Sequence, residues 1–143
     1  MLDLTELVNI DVTVAYVWYA VLLIVKMMLM GPLTGMLRTK KKAFVNPEDT
    51  APFGKGENAK KVHLNDLENI VPFLFIGFFY SFSGVSLSTA LLHYRIFFGS
   101  RVFHTITYLL ALPQPSRALS FLVGYLITFS MIYKLVMVGL SMS

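Results

Sequence analysis

HLNDLENIVPFLFIGFFYSF, residues 63–82, begins polar and becomes apolar and aromatic from Ile70 onward. His63, Asn65, Asp66 and Glu68 all fall in its opening turns. Its length suits one crossing of a bilayer, whose hydrocarbon core of about 30 Å takes about 20 residues of helix. A helix of this kind enters lipid at one end and presents a carboxylate and amides at the other. That is a design for holding something polar at a membrane edge. Lys26, Arg38, Arg101 and Arg117 supply the opposite charge, and they are expected to converge with it on one site.

The rest of the chain has the same character. Of 143 residues, 56% are hydrophobic and 14% charged, against about 25% charged in soluble domains. Apolar runs place further spans at about 12–37, 88–112 and 117–140, beside 62–82. Gly31-Pro32 is a candidate kink in the first, Ser83-Gly84 ends the second, and Pro113 and Pro115 end the third. Uninterrupted apolar segments favour helices over a barrel, whose strands alternate in polarity. The expected fold is an all-α integral membrane protein, one domain over residues 1–143, built as a four-transmembrane-helix bundle without a separate soluble module.

Cysteine is absent. This excludes disulfides, cysteine zinc sites and a protein thiol nucleophile, so any thiol chemistry uses a thiol brought by the substrate. Asp3, Glu6 and Asp11 precede the first apolar run, where a secretory signal would be basic. The first span is therefore expected to be retained. Residues 38–61, RTKKKAFVNPEDTAPFGKGENAKK, form a polar loop with a turn signal at Asn46-Pro47 and a possible short helix from Glu48-Asp49. Asp49 itself suits a solvated or capping role. The loop holds seven lysines and arginines, and the N-terminal tail holds none. The loop is thus expected on the cytoplasmic side, with both termini opposite. The same rule explains the Lys40–Lys42 run better than nucleic-acid binding, which usually brings a soluble recognition fold.

Ionisable residues inside spans are costly and face partners or a polar cavity. Lys61, Asn65 and Glu68 fall on one stripe of the second helix, and Arg101, His104 and Tyr108 on one stripe of the third. Lys26 lies about 18 Å deeper than Arg38 at about 1.5 Å per residue. An internal network pairing Glu68 with Arg101 or Lys26 is one account. A second account is an anionic ligand, because Arg38, Lys61, Arg101 and Arg117 outnumber Glu68. Asn65, His104 and Tyr108 would then fix its orientation.

The segments NPED with FGKGENAKK, HLNDLENIVPF, RVFHTITYL and LPQPSRALSF resemble the MAPEG family of membrane proteins in eicosanoid and glutathione metabolism. The type 1 microsomal glutathione transferases are the nearest branch, and the resemblance covers nearly the whole chain. It implies a homotrimer with glutathione bound between neighbouring subunits. The implied contacts are Arg38, His63, Asn65, Glu68, Arg101, His104, Tyr108 and Arg117, and no metal is involved. Arg117 is the implied catalytic cation, holding the glutathione thiolate for attack on a hydrophobic electrophile or a lipid hydroperoxide. The implied setting is the endoplasmic reticulum, with the mitochondrial outer membrane as a second location and the site facing the cytoplasm. Alternatives are an eicosanoid synthase of the same family, of the prostaglandin E or leukotriene C type, or a non-catalytic membrane ligand-binding protein.

Three departures stand out. Thr50 follows NPED where type 1 enzymes usually carry a cysteine whose modification activates them. AKKV leads directly into His63, where the family usually has a longer segment with two arginines. Lys60 and Lys61 are expected to take over that charge, without the bidentate fork of arginine. Ala118 follows Arg117 where the prostaglandin E synthases have serine, which weighs against that isomerase activity.

Overall fold

The computed structural model describes residues 8–41, 55–110 and 112–143, without the side chains of residues 37, 38, 40, 41 and 55–60. The described residues form four α-helices: α1 (Ile10–Lys41), α2 (Lys55–Tyr80), α3 (Leu87–Leu109) and α4 (Ser116–Met142). The Asn46-Pro47 turn, Glu48-Asp49 and Thr50 lie outside the described residues. Both flanks of the expected 38–61 loop are helical. α1 continues three residues beyond Arg38, and α2 starts at Lys55. Lysine, glutamate and alanine lose little side-chain freedom in a helix, so KGENAKK extends α2 by about two polar turns. Pro32 and Pro72 both lie within continuous helices.

The turn after α2 has a local cause. Gly84 adopts φ 68°, in the left-handed region open to glycine. Ser86 then caps α3, its hydroxyl accepting from the Thr89 N–H. α1, α2, α4 and α3 form a ring in which consecutive members touch. α2 and α3 also meet across it, whereas α1 and α4 do not. Tyr16 packs near Gly77 and Lys26 meets Asp66, so α1 and α2 run antiparallel. Phe73 beside Phe97 and Asn65 beside Arg101 make α2 and α3 antiparallel too.

The interior is divided along its length. Toward the start of α1 it is aromatic. Tyr94 is fully buried and contacts Tyr16, Phe73 and Tyr80 edge-on at centroid distances of 6.1–6.4 Å, while Phe73 and Phe97 stack at 3.7 Å. Gly77 permits this, because a Cβ there would lie 2.9 Å from the Tyr16 ring. The Tyr16 hydroxyl donates to the Leu74 carbonyl at 2.7 Å. α3 and α4 approach closely through the small residues Ser120, Gly124 and Thr128, all buried and four apart, as membrane helix pairs commonly do.

The outside is apolar. Val14, Trp18 and Met28 on α1, and Leu122, Leu126 and Phe129 on α4, are all exposed. By length and composition, Ile10–Met36 and Ser116–Met142 are each apolar enough to cross a membrane. An apolar exterior around a core holding buried Asp66 and Arg101 inverts the distribution of a soluble protein. It fits a chain whose solvent is lipid.

Candidate functional site

Beyond the Phe73–Phe97 stack the interior becomes polar. The Arg101 guanidinium lies 5.8 Å from the centroid of Phe97, so the aromatic half ends where the charged half begins. Arg101 is fully buried on α3. Its Nη1 donates to Asn65 Oδ1 on α2 at 3.0 Å, and its Nη2 to the Ser120 carbonyl on α4 at 2.8 Å. That carbonyl lies in the second turn of α4. One side chain thereby ties three helices together.

Gly124 makes room for this. A Cβ there would come within 3.0 Å of Arg101 Nη2 and of Ser100 Oγ. Gly124→Ala is expected to press the guanidinium a few tenths of an ångström against its bond to the Ser120 carbonyl, an overpacking cost of about 1–3 kcal/mol offset in part by about 1 kcal/mol of helix propensity. Thermal unfolding in detergent checks it.

Lys26 on α1 donates to Asp66 Oδ2 on α2. Asp66 is fully buried. Its second oxygen, Oδ1, has no hydrogen-bond partner, and neither do Arg101 Nε, His104 Nδ1 and Arg117 Nε. Four orphaned polar atoms on neighbouring helices, all belonging to ionisable side chains, are unusual, since buried polar groups are nearly always paired. Lys26 and Arg101 bond the adjacent α2 residues Asp66 and Asn65, His104 follows Arg101 by one turn of α3, and Arg117 stands over Tyr108 one turn further. Three cations thus share this layer with one buried carboxylate.

His104 and Tyr108 continue the layer along α3, with ring centroids 4.9 Å apart. The Arg117 guanidinium stands 4.6 Å over the Tyr108 ring, a cation–π geometry. Arg117 occupies the first turn of α4, where no acidic residue offsets the helix dipole. A cation at a helix N-terminus costs about 0.3–1 kcal/mol. Here two positive features add at one point, which destabilises the free protein slightly and favours a bound anion.

The expected site residues divide by placement. Asn65, Arg101, His104, Tyr108 and Arg117 belong to this layer. Lys61, His63 and Glu68 sit on exposed positions of α2. Arg38 lies in the last turns of α1, and its side chain is outside the described residues. The internal pairing of Glu68 with Arg101 or Lys26, one of the two accounts above, does not form: Lys26 bonds Asp66, and Arg101 bonds Asn65 and Ser120. The reason is helical geometry. Glu68 is two positions beyond Asp66, about 200° around α2 at 3.6 residues per turn, and therefore points outward.

The buried carboxylate, Asp66, was not among the expected site residues. The signal for it is the stripe Val62, Asp66, Asn69, Phe73, all buried and spaced i, i+4, i+7, i+11. Following the apolar face of α2 upstream from Phe73 leads to Asp66. Of the Lys61–Asn65–Glu68 stripe only Asn65 reaches the polar layer, whereas Lys61 and Glu68 are exposed. Gly124 and the Ser120 carbonyl carry no sequence signal of this kind. A cleft of about 250 Å³ between α1 and α3, lined by Leu22, Val25, Leu29, Val102 and Ile106, reaches Lys26 at the edge of the polar layer.

The sequence profile of the MAPEG family matches residues 16–137. A human protein named "Microsomal glutathione S-transferase 1" is 53% identical over 148 residues, covering 94% of this chain and 96% of its own length. The rat protein of the same name shows the same identity and coverage. A bovine protein named "Prostaglandin E synthase" is 39% identical over 140 residues, with 92% of each chain covered.

Proposed function

The chain belongs to the MAPEG family, and from that premise we propose that it is a membrane glutathione transferase whose thiolate-holding cation is Arg117. Microsomal glutathione S-transferases at 53% identity, well above the 39% of the prostaglandin synthase, support the transferase activity. The observation that carries the site assignment is the Arg117 guanidinium, held over Tyr108 with its Nε unpartnered and no carboxylate paired to it among the described residues.

Glutathione has two carboxylates, an ammonium and a thiol. A site with surplus cations and one accessible carboxylate, Glu68, complements that pattern. Its carboxylates suit arginine, including Arg38 at the end of α1, and its ammonium suits Glu68. Asn65, His104, Tyr108, Lys61 and His63 are assigned to orient the tripeptide. A free thiol ionises near pH 8.5. A permanent guanidinium cation beside the sulfur lowers that value, and each unit corresponds to about 1.4 kcal/mol of thiolate stabilisation. The thiolate sulfur then forms a bond to the electrophilic carbon as the leaving group departs with its electron pair. With a lipid hydroperoxide, two glutathiones are oxidised to the disulfide as the hydroperoxide becomes alcohol and water. The apolar cleft beside Lys26 suits an electrophile arriving from lipid.

The assembly we assign is a homotrimer of four-span subunits, with the 38–61 segment and the site on the cytoplasmic face of the endoplasmic reticulum membrane or the mitochondrial outer membrane. Exposed Glu68 and His63 interleaved with exposed Leu64 and Leu67 support it. Such a mixed face is poorly matched to lipid and suits a neighbouring subunit with a polar ligand between.

The test is turnover of a generic aromatic electrophile with glutathione by the purified protein in detergent, alongside the thiolate ultraviolet absorbance. Tight glutathione binding without turnover would instead favour a non-catalytic binding protein. A further expectation concerns activation. With no cysteine in the chain, thiol-modifying reagents should leave turnover unchanged once excess reagent is removed. Lasting activation would contradict this.

A further inference from the structure

We infer that Lys26 and Asp66 are a positioning pair for the glutathione site, fixing the rotation of α2 about its axis and through it the directions of Asn65, His63 and Glu68. The inference rests on the glutathione reading above and deepens it. Asn65 and Asp66 are adjacent on α2 and so diverge by about 100°. Asn65 accepts from Arg101 on α3, and Asp66 from Lys26 on α1. α2 is therefore held from both flanks at the same level, and these two bonds together define one azimuth. Neither alone does so, because a single tether allows the helix to roll about it.

The geometry converts rotation into function. Side-chain tips lie about 6 Å from a helix axis, so a 20° roll of α2 displaces them by about 2 Å. A shift of that size takes a binding group out of hydrogen-bond range, which spans only about 0.5 Å. Glu68 and His63 lie within one turn of Asp66 and are carried rigidly by any such roll.

Stability does not account for the pair. Burying two charges costs about as much as their attraction returns, and apolar replacements of buried pairs are often neutral. This pair is also incompletely satisfied, since Asp66 Oδ1 has no partner. Lys26 in turn has only 13% of its side chain accessible and is committed to Asp66. What the pair supplies is register between α1 and α2 at the level of the site.

Glutathione affinity, saturated turnover and thermal stability would be measured in detergent for the parent, Asp66→Asn, Lys26→Arg, Lys26→Met, and the Lys26→Met/Asp66→Asn double variant. The double variant removes both charges at once, leaves no unpaired ion, and is expected to melt near the parent. Its glutathione Kd should nevertheless rise about tenfold or more, the loss of about one hydrogen bond to the ligand, with turnover at saturating glutathione changed much less. Asp66→Asn should also weaken binding, and Lys26→Arg, which keeps the pair, should stay near the parent. A double variant with parental affinity overturns the inference. So does tighter binding by Asp66→Asn, the result expected if Lys26 instead contacts a glutathione carboxylate directly. Should the double variant not fold, an affinity for Lys26→Arg as poor as for Asp66→Asn overturns it. A parent that binds no glutathione overturns the functional reading and the inference together. A parent that binds, with variants that bind equally well, overturns the inference alone.

Discussion

Arg117→Ala is expected to lower glutathione conjugation at neutral pH by about a hundredfold or more, the usual loss when one preorganised group stabilising a developing anion is removed. Turnover at saturating glutathione should carry most of the loss, because the cation acts on the sulfur charge more than on the bound tripeptide. The thiolate absorbance should disappear in parallel, and raising the pH toward the ordinary thiol range should restore part of the rate. Folding should survive. The cation–π contact with Tyr108 is worth about 0.5–2 kcal/mol, and removing a cation from the first turn of α4 returns about 0.3–1 kcal/mol. Steady-state kinetics and the ultraviolet difference spectrum check it. Unchanged turnover would remove Arg117 from the chemistry.

Arg101→Met is expected to have the largest effect on stability, about 2–4 kcal/mol. Methionine fills much of the volume but makes neither bond. The two bonds of the buried guanidinium to Asn65 Oδ1 and the Ser120 carbonyl are worth about 1.5–3 kcal/mol each as bonds from a charged donor. Relief from burying the charge offsets part of that. Glutathione affinity should fall as well, since Asn65 loses the partner that orients it. Thermal unfolding in detergent measures the first effect and equilibrium binding the second. A melting temperature equal to the parent's would show that the three helices are held by packing alone.

These two arginines illustrate different kinds of legibility. Arg117 follows a Pro-Gln-Pro break at the start of an apolar run, so its place in the first turn of α4 can be read from order along the chain. Arg101 was legible as a buried cation on a stripe with His104 and Tyr108. Its commitment to Asn65 and a backbone carbonyl of another helix was not. The same holds for Glu68 and Asp66: both are carboxylates near the start of one helix, and composition does not distinguish them.

Composition and residue order alone settle the class of fold and the chemistry available. The hydrophobic excess fixes helices with an apolar exterior, because backbone polar groups in lipid must be satisfied within each segment. The absence of cysteine fixes that any thiol is the substrate's. The motifs around HLNDLEN and PQPSR fix the family. Which charges face which is set by how the helices pack. Position along a helix sets only the angle between side chains. Whether Asp66 or Glu68 turns inward depends on the common rotation of α2 against α1 and α3, fixed by close packing at Gly77 and by Lys26 and Arg101 reaching in from either side. That rotation is a property of four helices together, so it becomes visible only when they are assembled.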